Sequence, residues 1–147
     1  MSVIVQQEFQ IYTKPFSTRR RLALIAEVLR AYVRVRWSLW RKGLPHTLST
    51  ARLGIDKVDP PEESTRQLAG RRVAWATIRV LDVLPSDSRC LTRSLVLADL
   101  LAKRGIESSL VIGVAPAPNF AAHAWVEVDG VPLLPPAEWQ YSRLVEL

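Results

Sequence analysis

The sequence predicts an α+β fold, a helical N-terminal part packed with one further helix and a small antiparallel sheet, and three observations carry that expectation. A long basic segment, residues 17–43, repeats apolar residues at helical spacing. A second helical pattern, residues 89–104, has capping residues before it and a glycine after it. An alternating run, Ala122 to Val128, then leads into Asp129-Gly130, a strong two-residue hairpin signal.

Taken in order, Ser17 or Thr18 can cap a helix beginning near Arg19, and Gly43 followed by Pro45 can end it. Leu22, Ile25, Leu29, Val33 and Trp37 form one apolar stripe, widened by Leu24, Val28, Tyr32, Val35, Leu39 and Trp40. So broad a surface asks for burial against the domain, a partner or a membrane surface, and the plain expectation is a core helix with a solvated basic flank. Residues 44–66 read as irregular, with "DKVDPPEEST" as a loop. A helix then starts at Ser64 or Thr65 and runs towards Leu84, with Gly70 a possible division and Pro85 a stop.

From Pro85 the pattern sharpens. Asp87 or Ser88 is placed to cap the helix from Arg89 to Arg104, Gly105 follows its end, and Leu91, Leu95, Ala98 and Leu101 give it a core face. "SSLVIGV" (Ser108 to Val114) is a strand, "APAPNF" a loop, "AHAWVEV" a second strand, and "VPLL" after the hairpin turn a third. The chain divides into residues 1–84, mostly helical, and residues 85–147, which carry the chemistry, together one compact unit.

The net charge of +6 is local. Residues 17–43 hold eight basic residues against Glu27 alone, which leaves twelve basic and thirteen acidic residues elsewhere. Any partner drawn by charge should therefore meet that segment. No nucleic-acid reading motif accompanies it, so nucleic acid is not expected. One cysteine cannot make an internal disulfide, the N-terminus lacks the pattern of a signal peptide, and no apolar run reaches the length of a membrane span. A cytoplasmic protein is the expectation. With one cysteine and two separated histidines there is no metal-ligand spacing, and no glycine-rich phosphate loop occurs, so no cofactor is expected.

The single thiol, Cys90 in "SDSRCLTRS", falls in the first turn of a helix if Ser88 is the cap. There, free backbone N–H groups favour negative charge and can receive an oxyanion. Position alone also fits a small buried hydrophobe. A nucleophile needs a base, and of the two histidines His46 in "GLPHTL" reads as a surface or turn residue. His123 lies on the alternating strand, sharing a face with Trp125 and Glu127, where a helix packed on the strand can bring thiol and imidazole together; a histidine satisfied by a neighbouring carbonyl is the competing reading. The orienting group is harder to find. Hairpin register puts Val128 opposite Val131 and His123 opposite Pro136, beside Pro135. Glu138 is the nearest acid, while Glu127 lies four residues along the strand, roughly 13 Å away.

"SRCLTRSLVLADLLAKRGIESSLVIGV" followed by "APAPNFAAHAWVEVDG", behind an Arg-rich helical segment, resembles the lasso-peptide leader peptidases, small proteins of the transglutaminase-like, papain-like cysteine protease superfamily. The matching motifs span Ser88 to Gly130. The resemblance implies a transglutaminase-like fold and a cysteine protease that removes the leader from a ribosomally made lasso-peptide precursor. It implies Cys90 as nucleophile and His123 as base and acid. The family often has an aspartate about twelve residues after the histidine; here that slot is Pro135, so either Glu138 or a backbone carbonyl orients His123, or catalysis rests on the Cys–His dyad, or activity is impaired. Partners implied are the precursor peptide, a separate leader-recognition protein supplied in trans, and the lasso cyclase acting afterwards. The rival readings are an acyltransferase using the same pair with an amine acceptor, and a catalytically degenerate binding module.

Overall fold

The computed structural model describes residues 17–55, 62–84, 89–115, 121–133 and 141–146. Among the described residues, three helices precede the sheet: α1 (Thr18–Ile55), α2 (Glu63–Leu81) and α3 (Arg89–Ala102). Four strands follow, β1 (Ser109–Ala115), β2 (Ala121–Val128), β3 (Val131–Pro132) and β4 (Ser142–Glu146), in one antiparallel sheet of order β3-β2-β1-β4. The predicted α+β class is the one observed.

Helix α3 is the centre of the molecule. Its Leu95, Val96, Leu97, Leu100 and Leu101 are buried on several sides, against Val28 and Val35 of α1, Val73, Ala74 and Leu81 of α2, and Ala124, Val126 and Val128 of β2. The expected face of Leu95, Ala98 and Leu101 is buried, with Leu91 partly so. A helix apolar nearly all round suits a central position. Charged ties hold α1 to it: the Arg104 guanidinium donates to both oxygens of Glu27 (3.0 and 2.8 Å), and Arg34 pairs with Asp99.

Two readings of the N-terminal half change. The stripe expected to enter the core does not. Val28, Ala31 and Val35 are buried, with Tyr32 and Leu39 packed beside them, whereas Leu22, Ile25, Leu29, Val33, Trp37 and Trp40 are exposed. Both sets have helical spacing; the set with small Ala31 and β-branched valines lets α1 approach α3 closely enough for the Glu27 and Arg34 pairs to form. Residues 44–55, read as irregular, are helical. Gly43 still interrupts α1 (φ 77°, ψ 178°), a conformation open to glycine, and the chain re-enters a helix with Pro45 in its first turn, where a missing N–H costs nothing. The buried Thr47 hydroxyl donates to the Gly43 carbonyl (3.0 Å) and lies 2.8 Å from the Ser38 hydroxyl, spanning the break.

Helix α2 begins at Glu63 and passes Gly70 without a break. A Cβ there would meet Leu133 Cδ2 at 3.1 Å and Leu101 Cδ2 at 3.8 Å, so glycine at this point brings α2 close to both the sheet and α3. The turn after β2 is as expected: Asp129 and Gly130 both have positive φ (51° and 75°), Val128 pairs with Val131 and Glu127 with Pro132. The sequence reading ended the sheet after the third strand. A fourth, β4, pairs with β1 on its other side, with a register shift between Ile112 and Gly113.

Candidate active site

Cys90 stands in the first turn of α3, half-buried and packed against the core cluster. The capping candidates Asp87 and Ser88 lie outside the described residues, as do Pro135, Pro136 and the acid candidate Glu138. His46 is exposed, in the helical run after Gly43 rather than in a turn, with Nε2 3.4 Å from Lys42 Nζ. Among the described residues no three His, Cys, Asp or Glu side chains cluster so as to hold a metal ion.

His123 is in β2, opposite Gly113 of β1. Alternation along β2 sends Ala124, Val126 and Val128 into the core and gives the opposite face to His123, Trp125 and Glu127, as expected. That outer set is an ordered layer. The His123 ring stacks on Trp125 (centroids 6.1 Å, planes 19° apart) and meets Tyr141 at 5.3 Å. Trp125 Nε1 donates to Glu127 Oε1 at 2.8 Å, and Arg143 of β4 donates to both Glu127 oxygens at 2.6 and 2.7 Å. Gly113 makes room for this layer, since a Cβ there would lie 2.8 Å from two carbons of the Trp125 ring. Glu127 is thus too far along the strand to bond His123 directly but fixes the indole that flanks it. Partial burial strips water from the imidazole and pushes its pKa below the ordinary value of about 6.5.

The thiol and the imidazole are related through a residue that the sequence reading did not single out. Ser94, four positions after Cys90 on the same side of α3, is buried, and its hydroxyl donates to the carbonyl of Ala124, next to His123, at 3.0 Å. Hairpin register gives the direction of that carbonyl. Val128 pairs with Val131, and the Leu133 amide donates to the Val126 carbonyl. Two residues back along β2, the Ala124 carbonyl points to the same edge. Ser94 supplies the donor.

Leu101 of α3 and Leu133, whose amide meets Val126, both lie beside Gly70 of α2. One turn back from Ser94, about 6 Å along the axis, is Cys90; one residue back from Ala124, about 3.3 Å, is His123. The Ser94–Ala124 bond thus lies near both residues, with Cys90 packed against the core cluster and His123 on the outer layer.

Sequence signals existed for two of the residues overlooked. Ser94 is a polar residue on an otherwise apolar helix face, and Gly113 sits inside a β-branched strand, where glycine often marks close approach. Tyr141 and Arg143 carried none, because β4 itself went unread.

No curated protein and no solved structure matches the chain. A family description does match: Transglutaminase-like superfamily, over residues 29–145, a span that includes Cys90, His123 and most of the elements that position them. Members of that superfamily are typically cysteine-dependent enzymes. With the match covering well over half its length, the chain belongs to the transglutaminase-like superfamily.

Proposed function

We propose that this protein is a cysteine peptidase that removes the leader segment from a ribosomally synthesised lasso-peptide precursor. The observation that carries the reading is the tie between the Cys90 helix and the His123 strand through Ser94 and Ala124. The motif set around Cys90 and His123 supports the leader peptidase in particular, and superfamily membership supports thiol chemistry in general.

Cys90 attacks the scissile carbonyl as His123 takes its proton. The first-turn amides of α3 receive the oxyanion. His123 then gives the proton to the leaving amine, and afterwards activates the water that releases the acyl-enzyme. An imidazole that burial keeps neutral near pH 7 is in the form a base requires. Its orientation falls to the Trp125 and Tyr141 rings together with Glu138 or a backbone carbonyl. Selectivity comes from docking of the leader, held by a separate recognition protein, and the cyclase acts on the product. A reducing cytoplasm, where a lone thiol stays reduced, is the proposed setting.

The test is incubation with a precursor peptide, with and without a recognition protein, read by mass spectrometry. Hydrolysis at one bond by the native chain, abolished in Cys90→Ala and His123→Ala, supports the reading. A new amide in place of a free acid identifies an acyltransferase instead, and unchanged function in Cys90→Ala identifies a non-catalytic module.

A further inference from the structure

The face of α1 turned away from the core is also apolar. Leu22, Ile25, Leu29, Val33, Trp37 and Trp40 succeed one another at steps of three and four, and all are exposed, from 37% at Leu29 to 80% at Trp40. From Leu22 to Trp40 the helix rises about 27 Å, and at a width of about 10 Å the stripe covers on the order of 300 Å². Contiguous apolar patches of that size on a folded chain commonly mark a binding site. The core does not account for them, because Val28, Ala31 and Val35 already serve it.

The surroundings of the stripe are cationic. Residues 17–43 carry eight basic side chains, and their one acid, Glu27, is held by Arg104. Arg34 is held by Asp99. Arg41 lies over the rings of both Trp37 (4.6 Å) and Trp40 (6.0 Å), and Arg36 over Tyr32 (5.9 Å). Guanidinium groups braced on aromatic rings are preorganised to bind carboxylates, and Trp and Arg are the side chains that most often dominate protein interfaces.

We infer that this stripe docks an acidic amphipathic segment of a partner protein, apolar residues laid along Leu22 to Trp40 and carboxylates meeting Arg36 and Arg41. A second copy of the chain is the wrong occupant, since it would set one basic segment against another. A lipid surface is the rival occupant, because indoles and guanidinium groups also suit the headgroup level; a partner carboxylate is preferred because Arg41, braced on Trp37 and Trp40, holds its guanidinium in one place for a directed ion pair. Docking here needs no chemistry at Cys90, so the inference and the peptidase reading succeed or fail separately.

The experiment is calorimetric titration of the full chain with a synthetic peptide of about 20 residues, leucines at helical i, i+3, i+4, i+7 spacing flanked by glutamates. Its controls are the same peptide with lysine for glutamate, and vesicles of phosphatidylcholine with and without phosphatidylserine. Expected are binding of the glutamate peptide alone and a loss of affinity as salt rises. Trp37→Ala with Trp40→Ala should weaken binding by about tenfold or more, as should Arg36→Glu with Arg41→Glu. Both double variants change exposed side chains, and circular dichroism should show them folded. Equal binding of the two peptides, or none, overturns the inference. So does preferential binding to phosphatidylserine vesicles, or a concentration-dependent dimer, that the tryptophan variant abolishes.

Discussion

The Ser94 hydroxyl donates to the Ala124 carbonyl across 3.0 Å, which joins the helix of Cys90 to the strand of His123 one turn from the sulfur and one residue from the ring. Deleting the hydroxyl takes from a buried acceptor the donor it has among the described residues. Ser94→Ala should therefore lose about 1–3 kcal/mol, measured by urea unfolding. If the bond also sets the distance between thiol and imidazole, the alkylation rate of Cys90 will change its dependence on pH in Ser94→Ala and regain it in Ser94→Thr. A stability loss with an unaltered alkylation profile would mean that the bond holds the fold and nothing more.

Gly113 faces a different demand. A methyl group there would lie 2.8 Å from the Trp125 ring and 3.1 Å from the backbone oxygen of Ser142, one neighbour pinned by a hydrogen bond and the other part of β4. Gly113→Ala should cost about 1–3 kcal/mol by overpacking and lower the melting temperature. Gly70→Ala is the comparison. Its nearest neighbour at 3.1 Å is the end of the Leu133 side chain, which can turn aside, so the smaller loss is expected there.

Local chemistry is what made parts of this fold legible. Asp129-Gly130 required positive φ at two successive residues and so fixed the β2–β3 register, and the polar run before Cys90 with Gly105 behind bounded α3. Alternation placed His123, Trp125 and Glu127 on one face. The choice between two apolar faces of α1 was not legible, because Leu22–Ile25–Leu29 and Val28–Ala31–Val35 share one period. Close packing of Val28, Ala31 and Val35 in the core, with the Glu27 and Arg34 pairs beside it, decides the rotation. Strand β4 escaped for a related reason: Ser142, Arg143 and Leu144 are exposed, and only partnership with β1 makes a strand of them. At the site, Cys90 and His123 stood out in the sequence, while Tyr141 beside His123 comes from just before β4 and the donor to the Ala124 carbonyl from a helix turn 30 residues earlier.

Glu127 is a carboxylate buried to 2% exposure that receives the Trp125 indole N–H and the half-exposed Arg143. Glu127→Ala strands the indole donor in the outer layer, and a loss of about 1–3 kcal/mol is expected in chemical unfolding. Glu127→Gln keeps an acceptor for the indole and gives up the charge facing Arg143, so it should cost less. The imidazole resonances of His123 supply a second measurement. They should move in Glu127→Ala, where Trp125 is released, and stay near their native positions in Glu127→Gln. Equal displacement in both variants would show that the indole is not what Glu127 holds in place.

Burial lowers the His123 pKa, which ties stability to pH. Well above pH 6.5 the imidazole is neutral in the folded and the unfolded chain and adds no pH dependence. As pH falls below about 6.5 the unfolded chain takes up a proton that the folded site resists, so stability declines until the depressed folded pKa has been passed. Melting temperature should fall between pH 7.5 and pH 5 in the native chain and fall less in His123→Gln. For the proposed peptidase the same displacement puts the acid limb of kcat/KM below 6.5, since activity requires the neutral base. A limb centred above 6.5 would mean that a different group, or an imidazole stabilised in its charged form, controls the reaction.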